Sequence, residues 1–389
     1  MRLRQLRDFV ATESAGAVLI GCGAVAALAW ANSPFSSSYT SLWTHHLSLG
    51  VDFDLRHWLN EGLMTIFFLV VGLEIKREIV DGHLATRRSA LLPIVGAVGG
   101  MVLPAMIYLA IAGGSAPRGW AIPMATDIAL AVGVLAVAGS RLPTSMRAFL
   151  LGLAIVDDIG AIVIIAVVFS TGVSWSWLAA AVAALLAAIT VRRCGTGAIA
   201  LYLVFGVVMW LALHKAGVHP TLAGVALGLL VPTAAAERLE RAVHPWSSYV
   251  IVPLFALANA GIVISVDGLH DAARSTVAWG VFAGLLLGKP LGVLVATSVS
   301  VHVGVAELPA DARRVQLLGV GMAAGIGFTV AIFITDLALA NPSQRADAKL
   351  AILAASVVAA LAAWLLLDHQ AGDEVDRNTD DDGAEDIGE

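Results

Sequence analysis

Two adjacent aspartates stand near the middle of a stretch that carries no other charge. In "LLGLAIVDDIGAIVIIAVVF", from Leu150 to Phe169, only Asp157 and Asp158 are neither apolar nor glycine. Twenty such residues match one helix across the hydrocarbon core of a bilayer. A charge there costs about 2.5–3.5 kcal/mol on insertion scales and normally faces a cavity. The other ionisable residues in apolar surroundings are Asp127, beside Thr126 in "WAIPMATDIALAVGV", and Lys289, in "GLLLGKPLGV". Three acids and one base leave two unmatched negative charges if all ionise, so the pocket must take up protons or bind a cation. A site that can be neutralised either way, and that faces one side of the membrane at a time, couples proton movement to cation movement. Neighbouring residues on a helix point about 100° apart. Asp157 and Asp158 therefore cannot both aim at one partner: one lines an ion cavity and the other meets a helix partner such as Lys289. Thr126 adds a neutral oxygen of the kind that a weakly held Na+ or Li+ needs beside a carboxylate. Asp127 and Lys289 have a second reading, as compensation for the dipole ends of interrupted helices.

The elements that must position these residues are membrane spans. The 389 residues are 59% hydrophobic and only 13% charged, about half the charge of a soluble domain, which defines a polytopic membrane protein. Apolar windows fall near 9–31, 57–75, 90–112, 119–138, 147–170, 176–191, 198–213, 218–232, 246–265, 276–301, 315–338 and 348–367, about twelve spans. An even number puts both termini on one side. On that side fall 16 of the 23 Lys and Arg residues, against six on the other, with Lys289 inside a span; by the positive-inside rule both termini are cytoplasmic. The apolar part of the first window, Ala15–Ala31, is longer than a signal-peptide core and reads as a retained helix. Cys22 and Cys194 lie far apart without metal-ligand spacing and support neither a disulfide framework nor a zinc site. Residues 1–370 form one transporter domain. The segment after it, 371–389, holds nine acids against Arg377 and reads as a disordered, solvated cytoplasmic tail.

Two spans are interrupted. The fourth has Pro123 just before Thr126 and Asp127, and the eleventh, "GVGMAAGIGFTVAIFI", has glycines at 319, 321, 325 and 327. Grouping spans 3–5 and 10–12 puts each break in the middle member of a triplet. The odd and even starting spans give the triplets opposite orientation, an inverted repeat. Such paired interruptions point to a transporter binding site. A further cluster, Glu74, Lys76, Arg77 and Glu78 in "GLEIKRE", lies at the cytoplasmic end of the second span, and Glu240 falls at the same face. Opposed charges at a funnel mouth can attract cations or sense pH, or form an ordinary interfacial rim. His219, in "GVHPTLAGV", sits at the outer end of a short span, where it either caps and packs or switches near neutral pH. In "HLSLGVDFDL" apolar residues alternate from Leu47 to Leu55, which predicts a short hairpin over about 45–56 with its turn near Gly50. Its edge can pair with a second copy of the chain.

Taken together, "FFLVVGLEIKRE", "MATDIALAVGV", "AIVDDIGAIV", "GVHPTLAGV", "HPWSSYVIVPLFALANAG", "LGKPLGV" and "GIGFTVAIFI" resemble the bacterial Na+/H+ antiporter family called NhaA, in order from about residue 9 to 370. The resemblance implies an all-α polytopic membrane protein of about twelve helices built from inverted-topology repeats, with spans 4 and 11 unwound and crossing, and a short periplasmic β-hairpin. It implies a secondary transporter of the bacterial inner membrane rather than an enzyme. No cofactor is expected beyond the transported Na+ or Li+ and H+, no nucleic acid partner is implied, and the 47–55 hairpin is similar to the family's dimerisation element. By the same resemblance Asp158 is the principal cation ligand and Asp157 the second essential acid, with Asp127 and Thr126 close by. Lys289 pairs with the acid at the Asp157 position. Glu74, Arg77, Glu78 and Glu240 match positions linked to pH activation, His219 a histidine that influences pH response, and Glu61 an acid of the outer funnel. The short loop "VPTAAAERLE" and the acidic tail depart from the family pattern.

Rival readings are a K+/H+ exchanger or a cation-coupled organic-anion carrier on a similar scaffold. A membrane isoprenoid transferase would need spaced acids holding Mg2+ against pyrophosphate. The flanks "LAIV" and "IGAIV" contain nothing for phosphate.

Overall fold

The apolar runs fold into helices because, in hydrocarbon, a helix is one of the few ways to satisfy every backbone N–H and C=O. The computed structural model describes residues 3–48, 51–82, 84–138, 143–170, 172–195, 198–309 and 312–382. The chain begins with α1 (Leu3–Ala31) and α2 (Ser36–Trp43), then β1 (His46–Ser48) and β2 (Asp52–Asp54). The two strands pair antiparallel with Leu47 opposite Phe53. The expected turn at Gly50 lies outside the described residues. The hairpin rests on its own chain: Trp58 donates to the Leu47 carbonyl at 2.7 Å, and Phe53 packs edge-on against Trp58, Trp210 and His214. Asp54 caps α3 (Leu55–His57) through the His57 amide at 2.7 Å, and one π-helical turn leads into α4 (Met64–Val80).

Next come α5 (Arg87–Ala112), a 3-10 segment (Pro117–Met124), α6 (Ile128–Ala138), α7 (Thr144–Val168), α8 (Trp175–Arg193), α9 (Ile199–Ala216) and α10 (Leu222–Leu230). They are followed by α11 (Thr233–Trp246), α12 (Val252–Asn259), α13 (Val266–Arg274), α14 (Thr276–Ala283), α15 (Lys289–His302), α16 (Arg314–Ala324), α17 (Phe328–Ala338) and α18 (Pro342–Asp382). All twelve apolar windows hold helical segments. Among the described residues, eight are long and apolar enough to cross a membrane, and the pair α16–α17, bent by 49°, makes a ninth. The remaining windows, 57–75, 218–232 and 246–265, hold helices that are short or interrupted by π-helical turns. The last helix runs on through the acidic segment to Asp382, and residues 383–389 lie outside the described residues.

The core is tight where glycines let helix backbones meet. A Cβ on Gly292 of α15 would fall 2.2 Å from the Gly99 carbonyl oxygen of α5, and one on Gly99 would fall 2.3 Å from that of Gly292. Only hydrogen fits on either side of that crossing. The two breaks come at residues 125–127, between the 3-10 segment and α6, and at 325–327, between α16 and α17. They touch: the Asp127 amide donates to the Ile326 carbonyl at 2.7 Å, and the Thr126 hydroxyl lies 2.9 Å from that of Ala324. Carbonyls at the second break thus accept from donors at the first, which helps make non-helical backbone tolerable inside the bundle.

Candidate ion-binding site

Around this crossing the four ionisable residues come together, each buried. Lys289, with no solvent exposure, donates to the Asp157 carboxylate and to the carbonyl of Met124. It therefore meets an anion and the carbonyl end of the 3-10 segment at once. The same Asp157 oxygen accepts the Thr126 hydroxyl at 2.6 Å; the other, Oδ1, is buried without a hydrogen-bond partner among the described residues. Asp127 joins two helix starts. Its Oδ1 accepts the Leu130 amide of α6 at 3.1 Å, and its Oδ2 accepts the amide and hydroxyl of Thr329, in α17, at 3.0 and 2.6 Å. A carboxylate at two helix N-termini faces their positive dipole ends, so the dipole-compensation reading of Asp127 has its geometry here.

Asp158 is different. It is buried, and no described residue hydrogen-bonds to it. The negative charges of Asp157, Glu74 and Asp127 bear on it, and Lys289 opposes them. Asp158 and Asp127 line a cavity of about 50 Å3 with Thr126, Thr329, Ser247 and Ser248, and the cavity extends to Glu74 and His244. A polar cavity needs roughly 10–15 Å3 to hold one water, so this one takes a few waters or a small ion with part of its hydration shell. Its oxygens are hard ligands, and a threonine hydroxyl that donates to a carboxylate still has lone pairs to offer. Asp157 and Lys289 are not on its wall; they stand behind Thr126.

The expected pH-response residues divide between two places. Glu74 lies 3.5 Å from the His244 ring at one end of the cavity. Close by, Arg77 ion-pairs with Glu240 of the amphipathic helix α11, and Glu78 is buried. Burial pushes the Glu240 carboxyl up against the pull of Arg77, and Glu74 pushes the same way. His219 is elsewhere: its Nε2 is 3.6 Å from Glu61, in the π-helical turn before α4 and about 20 Å along the helical run from Glu74 at 1.5 Å per residue. Its Nδ1 meets the Thr221 hydroxyl at 3.2 Å, and its ring packs edge-on against Phe333.

Four polar wall residues, Thr329, His244, Ser247 and Ser248, are not among the sequence candidates. Thr329 follows the second break as Thr126 follows Pro123 at the first, and that shared pattern was the available signal. His244 sits in "HPW", with only its nearness to Glu240 to mark it.

Two broken helices that cross, with a buried carboxylate lining the cavity beside them, define a secondary transporter of the antiporter fold. The chain matches the family Na+/H+ antiporter 1 over residues 7–367 and belongs to that family, which comprises secondary transporters rather than enzymes. It is 42% identical to Na+/H+ antiporter NhaA 3 of Frankia alni, with 93% of this chain and 88% of that one aligned. It is likewise 42% identical to NhaA of Shewanella loihica, over 94% of this chain and 97% of the relative. In fold it is similar to the sodium proton antiporter MjNhaP1 of Methanocaldococcus jannaschii. That likeness has a TM-score of 0.57 at 12% identity and covers 94% of this chain and 99% of the other.

Proposed function

We propose that this chain expels Na+ or Li+ from the cytoplasm in exchange for external protons, in the service of sodium and pH homeostasis, and that Asp158 is the group over which the two compete. The observation that carries the reading is Asp158 itself: buried, facing a cavity, and without a hydrogen-bond partner among the described residues. A desolvated carboxylate without a fixed partner is neutralised by a proton or by a cation, and the two exclude each other. Na+ entering past Glu74 and His244 meets Asp158 with Thr126, Asp127 and Thr329 on the same wall, and its binding favours rearrangement about the crossed breaks. Protons arriving from the other side release the ion and reset the site.

Exchange is electrogenic when Asp157, relaying through Lys289, contributes a second proton for each cation. Glu74, Arg77, Glu78 and Glu240 set the pH at which the cytoplasmic mouth opens, and Glu61 with His219 serves the outer funnel. The Lys and Arg asymmetry supports a bacterial inner-membrane protein with both termini cytoplasmic. The free edges of the hairpin support a homodimer.

The test is cation-induced proton flux in proteoliposomes. Collapse of a pH gradient on adding Na+ or Li+, but not K+, is the expected result, and Asp158→Asn should abolish it. A response to K+ alone would favour the K+/H+ exchanger, and Na+-driven flux through Asp158→Asn would remove that residue from its role.

A further inference from the structure

Glu61 and His219 come from different elements, the π-helical turn Trp58–Leu63 and the link between α9 and α10. Their separation of 3.6 Å stands just outside hydrogen-bond length, roughly 2.7–3.2 Å. A few tenths of an ångström therefore decide whether the two can share a proton. The carboxylate has no other anchor: its Oε2 is buried without a hydrogen-bond partner among the described residues. What sets the separation is the backbone that carries Glu61, and that backbone lies in a π-helical turn, where the ladder of the helix is out of register. It is held instead by side chains. The Glu61 carbonyl accepts the Thr65 hydroxyl, from one turn on, and the indole N–H of Trp210 in α9 at 3.0 Å. The Trp210 ring stacks with Trp58, at 6.3 Å and 11°, and with His214, at 5.9 Å and 14°, so its N–H has a fixed direction. On the other side of the pair, α10 sits hard against α4, where a Cβ on Gly224 would run into the Thr65 carbonyl oxygen.

We propose that, on the reading of Glu61 and His219 as groups of the outer funnel, Trp210 is a positioning residue for proton entry. Its N–H on the Glu61 carbonyl holds the π-helical turn where the carboxylate stays within reach of His219. Nine positions after Trp210 comes His219 itself, so one indole bond fixes the acid against the same helix pair, α9–α10, that carries its partner. A proton that reaches the pair is then held by two groups at once. With the bond gone, the turn relaxes toward ordinary helical register, the groups part, and each must take the proton alone.

The test is Na+ efflux from loaded right-side-out membrane vesicles of a host without its own Na+/H+ antiporters, with the internal pH clamped and the external pH varied. Trp210→Phe keeps an aromatic ring and deletes the N–H. It should move the external pH of half-maximal efflux to lower pH by about half a unit or more and leave the dependence on internal Na+ unchanged. Thr65→Val removes the other donor to the same carbonyl and should shift the profile the same way, which keeps the proposal testable if Trp210→Phe does not fold. Trp279→Phe, which deletes an indole bond to the Ala273 carbonyl elsewhere, should shift nothing. In a Glu61→Gln background the Trp210→Phe shift should vanish. Unshifted profiles for Trp210→Phe and Thr65→Val, in a protein whose profile Glu61→Gln does move, would overturn the positioning role alone. A Trp210→Phe shift that persists in Glu61→Gln would reduce the indole to a packing group. A profile that Glu61→Gln leaves in place would overturn the outer-funnel reading and the positioning role with it.

Discussion

Replacing Lys289 by methionine removes the positive charge paired with Asp157. Lys289 is fully buried and serves two acceptors, the Asp157 carboxylate and the Met124 carbonyl. Methionine fills most of the same volume, so the change is electrostatic rather than a cavity. Breaking one side of a buried ion pair costs about 3–5 kcal/mol, because the survivor keeps an uncompensated charge. Protonation of Asp157 caps that cost. With an ordinary aspartate titrating near 3.9 and about 1.36 kcal/mol per pH unit, neutralising it takes about 4 kcal/mol at pH 7 and about 1.5 kcal/mol at pH 5. The proton is held in the folded variant and lost on unfolding. The variant's stability is therefore intact below the unfolded value and falls as pH rises. Asp157→Asn/Lys289→Met removes both charges and should recover all but roughly 1–3 kcal/mol, the residue being the Met124 carbonyl left without its donor. The assay is thermal unfolding in micelles, followed by tryptophan fluorescence, for wild type, both single variants and the double at pH 5 and 7. A coupling energy above about 2 kcal/mol at pH 7, shrinking at pH 5, is expected. Additive, pH-independent losses would refute the reasoning, because Lys289 and Asp157 would then not be compensating one another.

Three further outcomes follow from the same geometry. Thr329→Val keeps shape but deletes the hydroxyl bond to Asp127 at 2.6 Å; a bond to a charged group is worth about 1.5–3 kcal/mol, and a melting curve showing no loss would mean the backbone amide suffices. Because burial holds the Glu240 carboxyl up, its contribution to stability is full below the ordinary carboxylate value and is lost as pH rises through the folded one. Between pH 5 and 8, Glu240→Gln should therefore lose less thermal stability than wild type, and the pH profile of exchange should flatten on its alkaline arm; parallel curves would exclude Glu240 as a titrating group. Gly292→Val should prevent accumulation of folded protein, since its Cβ would fall 2.2 Å from backbone, whereas Gly114→Ala, with nothing within 4 Å, should be neutral; equal yields would contradict the packing at the α5–α15 crossing.

The spans were legible because a bilayer demands long apolar runs, and the breaks because Pro123 and the glycines at 325 and 327 have direct backbone consequences. The choice of partners was harder to read. Helical geometry says that Asp157 and Asp158 diverge by about 100°, but not which one meets Lys289; that depends on how α15 is rotated against α5 and α7, and no local pattern records it. The pairing of His219 with Glu61 joins residues 158 positions apart and appears only once α10 lies beside α4. The π-helical turns at 58–63, 247–251 and 284–288 left no visible mark either. The last of these immediately precedes Lys289 and helps set where its side chain emerges.

The division of labour among the buried charges bears on how one site can be both stable and exchangeable. Asp157 has a fixed cation in Lys289 and a hydroxyl in Thr126. Asp127 has the starts of two helices, three donors in all. Both are part of the crossing, and changing their charge disturbs the unwound segments directly. Asp158 stands on α7 with no such bond among the described residues, so in the proposed exchange its neutralising partner would come and go without dismantling the fold. Its state is still felt, because the charges of Asp157, Asp127 and Glu74 all bear on it. Adding a proton or a cation at Asp158 relieves repulsion on the carboxylate that holds α6 and α17 together. On the proposed role of Asp158, ion occupancy and the geometry of the broken helices would be coupled through Asp127, a lever that needs no moving part beyond the crossing itself.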